Sequence, residues 1–271
     1  MTHTLRFWLG THHPHWLATA GVELFVSRRA LARYKTLPRA SFAWALDSGG
    51  FSELTLHGRW EMTPAAYVAE VRRYRDEIGH MAWAAPQDWM CEPDMIKRTG
   101  LTVADHQRLT VENFLELNSL APELPWIPVL QGWSLGDYLD HADAYGRAGV
   151  SLADETIVGV GTVCRRQHTG MVSGLLACLC AEGYRLHGFG FKLRGLKLSA
   201  HDLASADSLA WSYQARRNPP LPGHGVRHKN CANCMEYAMG WRDEVVDTIG
   251  NAMRREAEAV ARRLRAEAAS P

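Results

Sequence analysis

Eight short apolar runs recur along the chain, and most are followed by a stretch with helical periodicity. The runs are Leu5–Leu9, Val22–Val26, Phe42–Leu46, Met81–Ala85, Trp126–Leu130, Thr156–Val160, Leu186–Phe191 and Ala206–Ala210. Their length and apolar content predict buried strands. Between them, helices are predicted over Ser27–Tyr34, Pro64–Glu77, Thr102–Leu120, Ser134–Ala148, Arg166–Glu182 and Ser199–Leu203. Thr63 before Pro64 reads as an N-cap with proline at the first helical position, and Gly183 as a C-cap. Strands that alternate with helices imply a parallel sheet, and eight such units predict an α/β fold of the (β/α)8 TIM-barrel type. An open doubly wound sheet is the alternative, but no Gly-x-Gly-x-x-Gly follows the first run.

After the eighth run the pattern changes. Tyr213–His228 is rich in Arg, Pro, Gly and His and predicts an irregular loop, followed by a long amphipathic helix over Asn233–Ala268. The expected organisation is a barrel over residues 1–212, with residues 213–271 forming a loop and terminal helix packed on it as one domain.

Composition narrows the function classes. The chain has 271 residues, 46% hydrophobic and 22% charged, an ordinary globular balance. No run of 18 apolar residues is present, so no membrane span is expected. Met1–Arg6 has no signal-peptide character, which predicts a cytoplasmic protein. Net charge is +1, so any polyanion site must come from local clustering. Six cysteines in a chain this long do not form a secreted disulfide framework.

In a barrel of this type, chemistry collects at the C-terminal strand ends. The third run ends in Asp47-Ser48-Gly49-Gly50-Phe51, and the fourth in Pro86-Gln87-Asp88-Trp89. The fifth gives Gln131-Gly132-Trp133, and the sixth Gly159-Val160-Gly161-Thr162. The seventh gives His187-Gly188-Phe189-Gly190, and the eighth carries Asp207-Ser208. Each acid alone is commonly a cap or an ion-pair partner. Three on one face, Asp47, Asp88 and Asp207, beside an amide and open glycine turns, point to a site in which carboxylates divide nucleophile, acid/base and hydrogen-bond roles.

Asp-Ser-Gly-Gly-Phe after a strand resembles the signature of the tRNA-guanine transglycosylases. The order of Asp88, Val129-Leu130-Gln131-Gly132, Gly159-Val160-Gly161, His187-Gly188-Phe189-Gly190, Asp207 and Cys231-x-x-Cys234 matches as well. The chain is most similar to the compact DNA-acting branch, the deazapurine DNA modification proteins (DpdA-type). Asp207-Ser208-Leu209-Ala210-Trp211-Ser212 and His228-Lys229-Asn230-Cys231-Ala232-Asn233-Cys234 carry that closer likeness.

The resemblance implies exchange of guanine in DNA for a free 7-deazaguanine (preQ0-like) through a covalent intermediate. Asp207 holds the nucleophile's position, and a carboxylate suits an oxocarbenium-like transition state at C1′. Asp47 is implied to protonate the leaving base and deprotonate the incoming one. Asp88 is implied to accept guanine N–H groups, and Gln131, with the backbone near Gly161, to read the carbonyl edge. Phe51 is expected to stack on the base, with Phe189 or Trp89 as partner and core packing as the alternative for each. Ser48 is a candidate for positioning the nucleotide, with a turn hydrogen bond as the alternative. Gly49, Gly132, Gly161 and Gly190 leave room for a flat purine. A stacked base must be flipped or presented in a single strand, possible helper proteins opening the duplex.

Cys231-x-x-Cys234 with His228 and His224 upstream predicts a four-ligand Zn2+ site of structural type, since the loop itself carries no acid to act as base. The tRNA enzymes resemble this only in part, having three close Cys and a distant His. Arg165, Arg166, Lys192, Arg194, Lys197, Arg216, Arg217, Arg227 and Lys229 follow the last three strands and are expected to lie near a DNA backbone. An RNA-acting transglycosylase and a catalytically silent nucleic-acid-binding barrel or accessory subunit are the competing readings. Retention of both Asp47 and Asp207 argues against the silent one.

Overall fold

A computed structural model describes residues 5–224 and 228–268; Arg227 and the Met1–Thr4 start lie outside them. Eight strands form one all-parallel sheet: β1 (Arg6–Thr11), β2 (Leu24–Ser27), β3 (Trp44–Asp47), β4 (Met81–Ala84), β5 (Val129–Leu130), β6 (Val158–Val160), β7 (Leu186–Gly188) and β8 (Ser205–Ser208). Their order is β4-β3-β2-β1-β8-β7-β6-β5. One further parallel bridge joins Ala84 in β4 to Trp126, just ahead of β5. There the Ala84 N–H donates to the Pro125 carbonyl (2.9 Å) and the Ile127 N–H to the Ala84 carbonyl (3.2 Å), so the sheet curls into a TIM-like α/β architecture.

Side-chain alternation explains the two apolar layers. Phe7, Leu9, Leu24, Val26, Trp44 and Leu46 face the surrounding helices in the main core. Trp8, Phe25, Ala45, Trp83 and Val129, one position out of step, fill the inside of the sheet. Each fully buried Leu or Val there stabilises the fold by roughly 1.5–3 kcal/mol. Trp8 and Trp83 meet edge-on with centroids 5.9 Å apart, and small Ala45 leaves them room. The inside is thus a packed plug, with free space only above it at the strand ends.

Eleven α-helices are described, along with a 3-10 turn at Ala200–Asp202: α1 (Trp16–Thr19), α2 (Arg28–Leu31), α3 (Gly50–His57), α4 (Pro64–Ile78), α5 (Pro93–Thr99), α6 (Val103–Leu120), α7 (Leu135–Arg147), α8 (Gly170–Ala181), α9 (Leu193–Ser199), α10 (Ala210–Ala215) and α11 (Met235–Ala268). Local chemistry sets several starts. The Thr63 hydroxyl accepts the Ala66 N–H with Pro64 behind it, as expected. Thr102 with Asp105 and Ser134 with Asp137 form capping boxes on α6 and α7.

Several sequence expectations change; the helix expected over Ser199–Leu203, for one, is the end of α9 and the 3-10 turn, and the fifth strand shortens to Val129–Leu130. The seventh strand stops at Gly188 rather than Phe191, because Phe191 folds back under Gly188 into the core and Gly190 turns with φ +64°. The eighth stops at Ser208, since the chain enters α10 at Ala210; the predicted loop therefore begins after a helix that crosses residue 212. The helix predicted from Arg166 starts at Gly170, where Thr169 caps it. The predicted basic helix after β2 is the short α2, and its Arg28 is buried. Arg28 reaches Glu53 (3.7 Å) and Glu70 (3.2 Å), while Arg29 reaches Glu53 (3.3 Å), tying α2 to α3 and α4. The long α11 lies across α9 and β1, with Ala238, Trp241, Val245, Ile249 and Ala252 buried.

Candidate active site

The ends of β3 through β8 surround a cavity of about 230 Å3. It is lined by Asp47, Phe51, Asp88, Gln131, Gly161, Phe189, Gly190 and Asp207 among the residues expected from the sequence. Its size is below the ~300–1,000 Å3 of drug-sized ligand pockets and suits a single flat ring system.

Asp47 closes β3, and its Oδ1 accepts the Gly49 N–H (3.1 Å). Gly49 has φ +79°, a left-handed conformation that brings this N–H back onto the carboxylate and starts α3. Burial raises Asp47 above the ordinary carboxylate range; the Gly49 N–H and Ser27 oppose this, and the nearby charge of Asp207 adds to it.

Asp88 lies beyond β4, buried. Its Oδ2 accepts the Gln131 side-chain N–H (2.6 Å) and its Oδ1 the Ser48 hydroxyl (3.3 Å). Burial pushes it up to about 7, partly countered by Gln131, with Asp47 adding to the rise. Ser48 is therefore a support for Asp88, from behind the cavity wall. Gln131 is itself oriented, since the Thr162 hydroxyl lies 2.6 Å from its Oε1. A side chain at Gly161 would overlap the Gln131 amide, so only glycine lets β6 pass this close. Gly132 plays a different part: a Cβ there would press on Asp137 and Tyr138, so it seats the turn on α7 and does not line the cavity.

Asp207, in β8, is buried. Its Oδ1 accepts the Gly190 N–H (2.9 Å), and the Nε2 of fully buried His187 lies 3.3 Å away. His187 is held by Ser205 Oγ at 2.8 Å from Nδ1. Phe25 and Phe189 form the floor and one wall, while Phe51, 42% exposed, stands at the mouth. Trp89 does not join them; it packs against His106 and beside Leu54, Met90 and Met95.

Glu92 and Thr162 line the same cavity and carried no prior expectation of a role. Thr162 holds φ +56°, costly for a β-branched residue and tolerated where the surroundings over-determine it. Its hydroxyl accepts the Cys91 N–H (2.9 Å) and lies 3.2 Å from Glu92 Oε2. The only sequence signal for Glu92 was an acid directly before the proline that starts α5.

The expected basic residues divide. Arg165 is exposed at the cavity mouth, its guanidinium 5.4 Å from the Phe51 ring and 3.7 Å from Asp94. Arg166 is spent on structure: it donates to the Trp133 carbonyl (2.6 Å) and the Thr162 carbonyl (3.2 Å) and stacks on Trp133. Lys192, Arg194, Lys197, Arg216, Arg217 and Lys229 are exposed, and none lines the cavity.

Away from the cavity, His224, His228, Cys231 and Cys234 each offer a ligand atom, and these lie within 4.8 Å of one another. His228 Nε2 is buried without a hydrogen-bond partner, as an imidazole awaiting a metal would be. His224 Nδ1 approaches Cys231 Sγ (3.4 Å), while its Nε2 meets Glu236 (3.2 Å), the outer carboxylate that commonly orients a metal-binding histidine. The loop was expected to lack an acid; α11 supplies this one from its first turn. The four residues fit a metal ion. His12 Nε2 also contacts Asn233 Oδ1 (2.8 Å), linking the loop after β1 to this segment.

No helix among the described residues is long and apolar enough to cross a membrane. A search of curated proteins finds no match. The family model of DpdA, DeoxyPurine in DNA protein A, matches residues 1–269, and the chain belongs to that family.

Proposed function

We propose that the protein is a base-exchanging transglycosylase that replaces guanine in DNA with a 7-deazaguanine through a covalent Asp207–nucleotide intermediate. The observation that carries this reading is the meeting of Asp47, Asp88, Asp207 and Gln131 around one base-sized cavity. Family membership supports a DNA-modifying, deazapurine-related activity.

Asp207 is the nucleophile. With Oδ1 occupied by the Gly190 N–H, Oδ2 attacks C1′ as the glycosidic bond breaks. Asp47, whose affinity for a proton burial raises, gives a proton to the departing guanine, and the resulting carboxylate takes one from the incoming base. That base then attacks C1′ and releases Asp207. Asp88 and Gln131 hold the N–H and carbonyl edges of either base, and Phe51 with Phe189 flanks the ring.

A cavity for one base requires the target nucleotide to leave the helical stack. Arg165, beside Phe51, is taken as a contact to the flanking backbone, and the exposed Lys192, Arg194, Lys197, Arg216 and Arg217 as further candidates for it. The metal of the His224, His228, Cys231 and Cys234 cluster is taken as Zn2+ in a structural role; its four N and S donors suit tetrahedral coordination. Bound there, the ion would pin the loop to the start of α11.

The test is exchange of labelled guanine or 7-deazaguanine into guanine-containing DNA, with RNA in parallel. Incorporation into DNA, lost in Asp207→Ala, is the expected result. Full exchange in Asp207→Ala would sink the nucleophile assignment, and exchange into RNA alone would move the substrate.

A further inference from the structure

Four polar side chains form a hydrogen-bonded chain around the cavity wall. Asp88 meets Gln131 at 2.6 Å, Gln131 meets Thr162 at 2.6 Å, and Thr162 meets Glu92 at 3.2 Å. Beyond Glu92 the wall continues through Cys164 to Gly190, whose N–H holds Asp207. Asp88, Gln131 and Thr162 follow β4, β5 and β6 in order, and Glu92 joins them from the loop beyond β4, which folds across to β6.

This order can be laid against the perimeter of a guanine-like base. With N1–H and the 2-amino group on Asp88 and O6 at Gln131, the next position around the ring is C7, followed by C8 and N9. N9 must face Asp207, because the sugar carbon that Asp207 attacks is bonded to it. Glu92 and Thr162 then lie beside C7.

From this we infer that Glu92 is a specificity-determining residue, its carboxyl group facing C7 of the bound base and donating a hydrogen bond to an acceptor carried there, such as a nitrile. The inference rests on the transglycosylase reading above and adds the recognition of the 7-substituent to it.

Two observations separate this from a purely structural role. Glu92 is the N-cap residue of α5, yet its side chain makes no capping hydrogen bond. Arg165, on the rim above, pairs with Asp94 instead. The carboxyl group is buried at the cavity wall with Thr162 as its side-chain partner. The Thr162 hydroxyl has one proton, and its shorter contact is to Gln131 Oε1. With the Thr162 proton on Gln131, a protonated Glu92 keeps its single proton for the cavity side, and burial raises Glu92 above the ordinary carboxylate range, with Thr162 and Arg165 opposing. A neutral acid of this kind favours a 7-substituent that accepts a hydrogen bond.

The test is calorimetric binding of 7-cyano-7-deazaguanine and of 7-deazaguanine with hydrogen at C7, using the full-length protein. The readout is the ratio of the two Kd values. The expected preference for the cyano base is about tenfold, the worth of one buried hydrogen bond. Glu92→Met keeps the shape, removes the donor and should bring the ratio near one. Glu92→Gln keeps an N–H donor and should retain a preference. Binding of both bases to the unaltered protein without preference, an unchanged ratio in Glu92→Met, or equal loss in Glu92→Gln and Glu92→Met overturns the inference. Failure of the unaltered protein to bind either base overturns the transglycosylase reading itself.

Discussion

Replacing Asp88 by Asn should make the protein more stable at pH 8 while removing its ability to hold a guanine edge. The magnitude follows from the burial of this carboxyl group. Its pKa rises from 3.8 to about 7 on folding. A raised carboxylate pKa leaves stability complete below the unfolded-state value, and stability is lost as pH climbs toward the folded-state value. The window is therefore about pH 4 to pH 7. Roughly three pKa units at 1.36 kcal/mol each put the cost of ionised Asp88 at about 4 kcal/mol above pH 7. Asn keeps the partners, since its oxygen accepts from Gln131 and its amide can donate to Ser48 Oγ. For a chain of 271 residues, with an unfolding entropy of ~2.1 cal/mol/K per residue, the ceiling corresponds to roughly 7 °C in Tm. Thermal unfolding of both proteins at pH 4, 6 and 8 measures it. The gap should open as pH rises and close at pH 4. An Asn variant no more stable than the parent at pH 8 would refute the idea that Asp88 is held ionised against its surroundings, poised for a ligand's N–H groups.

Other consequences are more local. Gly161→Ala should displace the Gln131 amide and lower base affinity by tenfold or more (about 1.4 kcal/mol), as read by calorimetry, while Asp207 remains in place. Because burial raises Asp47, adduct formation should slow with rising pH only above the ordinary carboxylate range; an inflection near ~4 in single-turnover rates would remove Asp47 as the proton donor. Cys231→Ser should abolish stoichiometric zinc by elemental analysis and lower Tm, and unchanged zinc would show that the His224, His228 and Cys234 cluster is not its site.

The three acids were legible in the sequence because each lies at or just beyond a short apolar run, Asp47 directly after one, Asp88 two residues further on and Asp207 inside one, and a parallel sheet carries the strand ends to one face. Asp47 and Asp207, 160 positions apart in the sequence, come together only because β1 lies between β2 and β8 in the sheet. Glu92 and Thr162 were harder to read. Their roles depend on a loop beyond β4 folding across to β6, a contact with no local periodicity behind it. Arg166 shows the reverse difficulty. A basic residue after a strand looks the same in sequence whether it faces solvent or, as here, two backbone carbonyls and an indole ring. Ser48 and Gly132 belong to the right turns but act from behind the wall, a distinction that only side-chain direction makes.

The most direct test of the central claim is to catch the covalent intermediate. The protein, incubated with a guanine-containing oligonucleotide and no incoming base, is denatured, digested and analysed by mass spectrometry. A nucleotide adduct on the peptide containing Asp207, released on adding a 7-deazaguanine and absent in Asp207→Asn, is the predicted result. Base exchange that proceeds with no adduct, or with the adduct on Asp47, would contradict it.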